Sequence, residues 1–147
     1  MKKILFLVSV LAVAVSGCKK DDDDPSNTDK LTGKAWKVTA ITVNPAISFG
    51  GISITDLYSL LDDCEKDNTS TFNTDKTYLD DEGGSKCDPA DPQTTPGTWA
   101  FNSDETIITL DSTDNYNVLQ NDGNVLKLSS TEVDAGVTYT YTVTFGK

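Results

Sequence analysis

The stretch "VTYTYTVTF", Val137 to Phe145, decides the fold. Val137, Tyr139, Tyr141, Val143 and Phe145 fall on one side of an extended chain; Thr138, Thr140, Thr142 and Thr144 fall on the other. Period-two alternation of β-branched and aromatic residues marks an antiparallel strand with one wet face. Noisier runs of the same kind lie upstream: "VLKLSS" (125–130), "YNVLQ" (116–120), "TIITLDS" (106–112), "GTWAF" (97–101), "KTYLDD" (76–81), "STFNT" (70–74) and "AWKVTAITV" (35–43). Turn signals such as "VDAG", "QNDGN", "DSTDN" and "NSDE" separate them, and "NDG" is a strong hairpin signal. About eight short strands joined in sequence order predict an all-β, antiparallel up-and-down barrel, which leaves no exposed edges. A two-sheet sandwich is the alternative packing.

One segment breaks the strand pattern. "ITDLYSLLDD", Ile54 to Asp63, places Leu57, Tyr58, Leu60 and Leu61 at helical spacing, with Thr55 or Asp56 as the N-cap. A short helix or an ordered loop between the first two strands is expected there, capping one end of the barrel. The long connection "DEGGSKCDPADPQTTPG" has no periodicity and is rich in proline.

The N-terminus carries a different signal. Lys2 and Lys3 precede the apolar run Ile4 to Val15, which is too short to span a bilayer, and small residues follow. Residues 1–17 therefore read as a secretory signal peptide. The order "VSGC" resembles the lipobox of bacterial lipoproteins, and the resemblance implies a lipidated Cys18 as the first mature residue. Two or more acyl chains hold a protein stably at a membrane, where one binds only marginally. Residues 18–30, with Asp21 to Asp24 in a row, read as a solvated acidic tether, since like charges repel and bury nothing. Their position resembles the acidic signal that sends some Gram-negative lipoproteins to the cell surface; a plain spacer is the alternative. The expected location is the outer membrane, lipid-anchored and exposed at the surface, with residues 31–147 as the folded domain.

Composition narrows the chemistry. The 147-residue chain has a net charge of −11, with no histidine and no arginine. A nucleic-acid partner is excluded, because neutralising phosphates requires a basic patch. Without an imidazole there is no Ser–His–Asp arrangement. "LDDEGG" reads as a charged loop, and "DNTSTFNTDK" lacks the glycine and terminal glutamate of a calcium-binding loop. No catalytic residue, metal site or cofactor is assigned, and the protein is expected not to be an enzyme. With Cys18 taken by lipid, Cys64 and Cys87 form an even pair, expected to be bonded in an oxidising compartment. A zinc site would need two further Cys or His ligands.

"LTGKAWKV", "DCEKDNTSTFNTDKTYLDDEGGSKCD" and "GTWAF" together resemble the lipocalin-like domains of bacterial exported lipoproteins. The matching positions are Gly33, Trp36, Cys64, Asp67, Phe72, Asp75, Tyr78, Cys87, Gly97 and Trp99. The resemblance implies a barrel in an exported protein and leaves its activity open. A barrel of about eight strands is just wide enough to be packed or to hold one small ligand. Candidate residues for a small apolar or aromatic ligand are Trp36, Phe72, Tyr78, Trp99, Phe101, Tyr139 and Tyr141. Trp36 is expected to plug the closed end, and Trp99, on a strand entered from the proline-rich loop, to lie nearer the end that opens. The alternative role is a non-catalytic surface accessory that contacts glycans or proteins.

Overall fold

The computed structural model describes residues 24–147; the signal-peptide segment, Cys18 and Asp21 to Asp23 lie outside the described residues. A short helix, α1 (Asn27–Leu31), leads into β1 (Ala35–Phe49) and β2 (Ile52–Asp56). A 3-10 turn (Tyr58–Leu60) and α2 (Asp63–Lys66) then precede a meander. Its strands are β3 (Thr69–Phe72), β4 (Thr77–Asp81), β5 (Thr94–Phe101), β6 (Ile107–Leu110), β7 (Asp114–Asn121), β8 (Val125–Asp134) and β9 (Val137–Gly146).

Every pairing is antiparallel, and each strand from β3 onward pairs with the next. β1 closes the ring by pairing with β3 on one side and β9 on the other. Eight strands thus form the up-and-down barrel, as the alternation predicts. β2 is a ninth strand, paired only with the far half of β1. The short helix expected within Ile54–Asp63 is present as the 3-10 turn Tyr58–Leu60, but it starts later than expected: Ile54 itself sits in β2, opposite Ile47. The overlooked signal is Gly50–Gly51, a two-residue hairpin loop with both φ angles positive, at +58° and +83°. Ala135–Gly136 repeats that loop between β8 and β9.

The meander puts its turns at two ends. At one end, the turns between β5 and β6 and between β7 and β8 meet α1. The Glu105 carboxylate accepts from the backbone N–H of Asn27 and Thr28, and Asn121 Nδ2 donates to Asn27 O. Ser26 and Asp29 form a reciprocal capping box on the same helix. Leu31, fully buried, stoppers this closed end. Ordered structure therefore reaches back to Ser26, into the segment 18–30 expected to be wholly tether, because "SNTD" caps a helix whose leucine belongs to the core.

The core fills the barrel from that end. Leu31, Trp36, Phe72, Trp99, Ile108, Leu126 and Leu128 form one buried cluster, with Tyr78, Phe101 and Phe145 packed against it. Edge-to-face contacts run from Phe72 to Trp99 (6.0 Å) and from Trp99 to Phe101 (5.5 Å); such pairs contribute about 0.5–1.5 kcal/mol beyond area burial.

Candidate functional site

Cross-strand partners share a face, so the register says what looks into the barrel. Trp36 pairs with Ser70, Ser70 with Asp80, and Asp80 with Thr95. This row crosses β1, β3, β4 and β5 on the inner face. Trp36 is part of the packed core; the other three residues are polar. Here the interior changes from filled to open. A concavity of about 400 Å³ lies over Trp36, bounded by Val38, Ser70, Asp80 and Thr95, with Glu65 and Glu82 at its rim. Its size falls within the range of small-molecule pockets.

β4 shows why this is unusual. Leu79 faces outward and is exposed, while the neighbouring Asp80 faces inward. That inverts the apolar-in, polar-out pattern of a barrel strand. Asp80 keeps accessible surface because the mouth is open along the barrel axis. Partial desolvation at this position raises its carboxyl above the usual aspartate value; the Ser70 hydroxyl opposes and the nearby charge of Asp111 pushes the same way as burial.

One row deeper, Tyr78 pairs with Gly97, and its hydroxyl donates to Asp111 Oδ2 at 2.6 Å. Asp111 also accepts from Thr98 N–H at 2.9 Å. These two hydrogen bonds hold the Asp111 carboxyl below its ordinary value. Burial and the Asp111 contact push the Tyr78 hydroxyl upward, so it stays protonated and keeps donating. Tyr116 on β7 is likewise raised, by burial and then by the Asp114 charge.

α2 and the β4–β5 connection shape the rim. Cys64 in α2 is bonded to Cys87, with Cα atoms 5.3 Å apart, as the cysteine count predicts. Asp67 Oδ2 accepts from Gly84 N–H at 2.9 Å and Ser85 N–H at 3.0 Å. The two links tie one loop to the other where neither has much apolar surface to bury. Past the rim, the β1–β2 and β8–β9 hairpins rise as a ribbon with exposed apolar tips: Phe49 and Ile52 on one, Val133 and Val137 on the other.

The seven aromatic candidates divide by depth. Trp36, Phe72 and Trp99 are core, and Phe101 packs on them. Tyr78 packs on the core yet lies one row below Asp80. Tyr139 and Tyr141 stand on the inner face of β9 opposite Glu132 and Ser130, outside the buried cluster. Trp99 is placed differently from expectation. Its Nε1–H donates to Asn73 O and Thr77 O, at the β3–β4 turn, and Lys76 Nζ covers its ring at 3.9 Å. β5 begins at Thr94, earlier than the expected strand, so Trp99 lies deep in it. Trp36, which donates to Leu31 O at 2.8 Å, plugs the closed end as expected.

Sequence reasoning missed Asp80, Ser70 and Thr95. The available signal was an acid two residues after an inward tyrosine in a strand. Among the described residues, no group of three or more His, Cys, Asp or Glu is placed to hold a metal ion. Residues 31–132 match the family of lipocalin-like domains. No curated protein matches the chain.

Proposed function

Because the chain belongs to the lipocalin-like domain family, we propose that it is a small-ligand-binding barrel held at the outer membrane through lipid on Cys18. The observation that carries the binding reading is the change of interior character at the Trp36–Ser70–Asp80–Thr95 row. Below it the barrel is packed, with Tyr78 against the core; above it a concavity of about 400 Å³ opens, bounded by Val38, Ser70, Asp80 and Thr95. The role is binding rather than turnover, and an apolar or aromatic body would sit over Trp36 and against Val38.

The lipobox-like "VSGC" and the apolar run before it support the anchor, and the run Asp21 to Asp24 supports export to the surface. With the chain entering through α1, the closed end lies next to the tether and the mouth points away from the anchoring bilayer. Intact-mass analysis of the membrane fraction tests the anchor; an unmodified Cys18, or a Cys18→Ser variant held as firmly, would sink it. Replacing Asp21 to Asp24 with alanine tests export, with protease accessibility on intact cells as the readout. For the cup, titration with the uncharged dye N-phenyl-1-naphthylamine should give saturable fluorescence that Thr95→Trp, which fills the concavity, abolishes.

A second reading has its own observation. Phe49 and Ile52 are 77% and 67% exposed at a hairpin tip. Exposed apolar residues of that size favour a surface that contacts a partner.

A further inference from the structure

We propose that the cup selects a cationic ligand, an amine carried on an apolar or aromatic body, over neutral or anionic molecules of the same shape. The proposal rests on the ligand-binding reading above and adds the chemical class to it.

The inner face supplies the reason. Asp80 looks into the concavity from β4, and Glu65 and Glu82 stand at its rim. Higher on the same face, Asp114 is the partner of Leu110 and Glu132 is the partner of Tyr139. The barrel lysines are kept out of this space by register. Lys37 lies between inward Trp36 and Val38, and Lys127 lies between inward Leu126 and Leu128, so both face outward. Lys30, Lys34 and Lys147 cluster at the closed end, where Lys34 Nζ donates to Lys30 O and Gly123 O. No basic residue borders the concavity, and its carboxylates have no salt-bridge partner among the described residues.

An inward carboxylate on a central strand costs stability unless something compensates it. Asp80 accepts from the Ser70 hydroxyl through Oδ1 alone, and the residue lines the concavity. Its raised proton affinity reports that the site as it stands under-stabilises the negative charge. An ammonium group placed there would supply the missing charge, and Val38, Thr69 and Thr95 of the same lining would flank its neighbouring carbons. A carboxylate ligand would meet three acids and no base. The same geometry that admits an amine therefore rejects a fatty acid.

The test is calorimetric titration of the full-length protein with three isosteric probes: tryptamine, its neutral alcohol tryptophol, and the anion indole-3-acetate. Tryptamine is expected to bind at least about tenfold more tightly than tryptophol, roughly the effect of one good charge-assisted contact, with indole-3-acetate weakest. Asp80→Asn should remove the preference for the amine, bringing the ratio of tryptamine to tryptophol affinity to about one. Equal binding of amine and alcohol, or an Asp80→Asn variant that keeps the preference, overturns the cationic class while leaving a ligand cup. Absence of binding by all three probes, together with absence of dye binding, overturns the cup itself.

Discussion

The ring of Tyr78 lies across Gly97, its partner on β5, so closely that a Cβ built on the glycine would sit 2.3 Å from the tyrosine Cζ. The glycine is required for space: its missing side chain is the bed in which the ring lies, and the hydroxyl then reaches Asp111. Gly97→Ala should therefore destabilise by about 1–3 kcal/mol, as over-packing does. In a Tyr78→Ala background the same change should cost much less. Denaturant melts of the four proteins give the coupling, and additive losses would contradict the contact.

Both tryptophans are sealed, so they should behave alike. Trp36 is 0% and Trp99 2% exposed, and each indole N–H is satisfied by a backbone carbonyl. Trp36→Ala and Trp99→Ala should each lose about 3–5 kcal/mol, as large core truncations do. A Trp99→Ala loss below half that of Trp36→Ala, measured by denaturant melts, would place Trp99 in the cup instead.

The Cys64–Cys87 bond closes a loop across a separation of 23 residues. Replacing both cysteines with serine should cost roughly 3 kcal/mol on the chain-entropy account. The comparison to make is the Tm of the double variant against wild type with and without reductant; coincident transitions would mean the rim is held by Asp67 alone.

Acid should act on two aspartates in opposite directions. Backbone N–H groups of Val125 and Asn124 hold the Asp122 carboxyl down at about 2, against an ordinary value of 3.8. Its stabilising effect is present above 3.8 and is lost as pH falls towards 2. Asp122→Asn should lower Tm near neutral pH and flatten the decline in that window. Asp80 is raised above 3.8, so its charged form costs stability once pH exceeds its folded value, and the cost is absent below 3.8. Asp80→Asn should raise Tm near neutral pH and match wild type in acid. A variant less stable than wild type at neutral pH would show that Asp80 makes a compensating contact.

The closed barrel is legible because its signals are local. Alternation in Val137 to Phe145 and turn residues at each hairpin act within a few residues, and the even cysteine pair is read by counting alone. β2 is less legible because Ile54 and Ile52 are recruited by partners on β1, Ile47 and Phe49, which lie across a turn that only Gly50–Gly51 marks. The depth of Trp99 depends on the stagger of three strands: β5 pairs with β4 through Thr94 to Thr98 and with β6 through Trp99 to Phe101. The polar row at Asp80 emerges only when four strands are in register. No single strand contains it.

The stopper helix α1 also determines how the domain bears load. A chain held at its N-terminus transmits tension first to Asn27 and Thr28, and from there to the Glu105 carboxylate that grips both amides. Leu31 and the Trp36 N–H bond come next in line. Pulling from the N-terminal side would thus open the molecule from its sealed end, uncorking Leu31 before any barrel strand is peeled. The mouth, at the opposite end, would be the last part to feel the force.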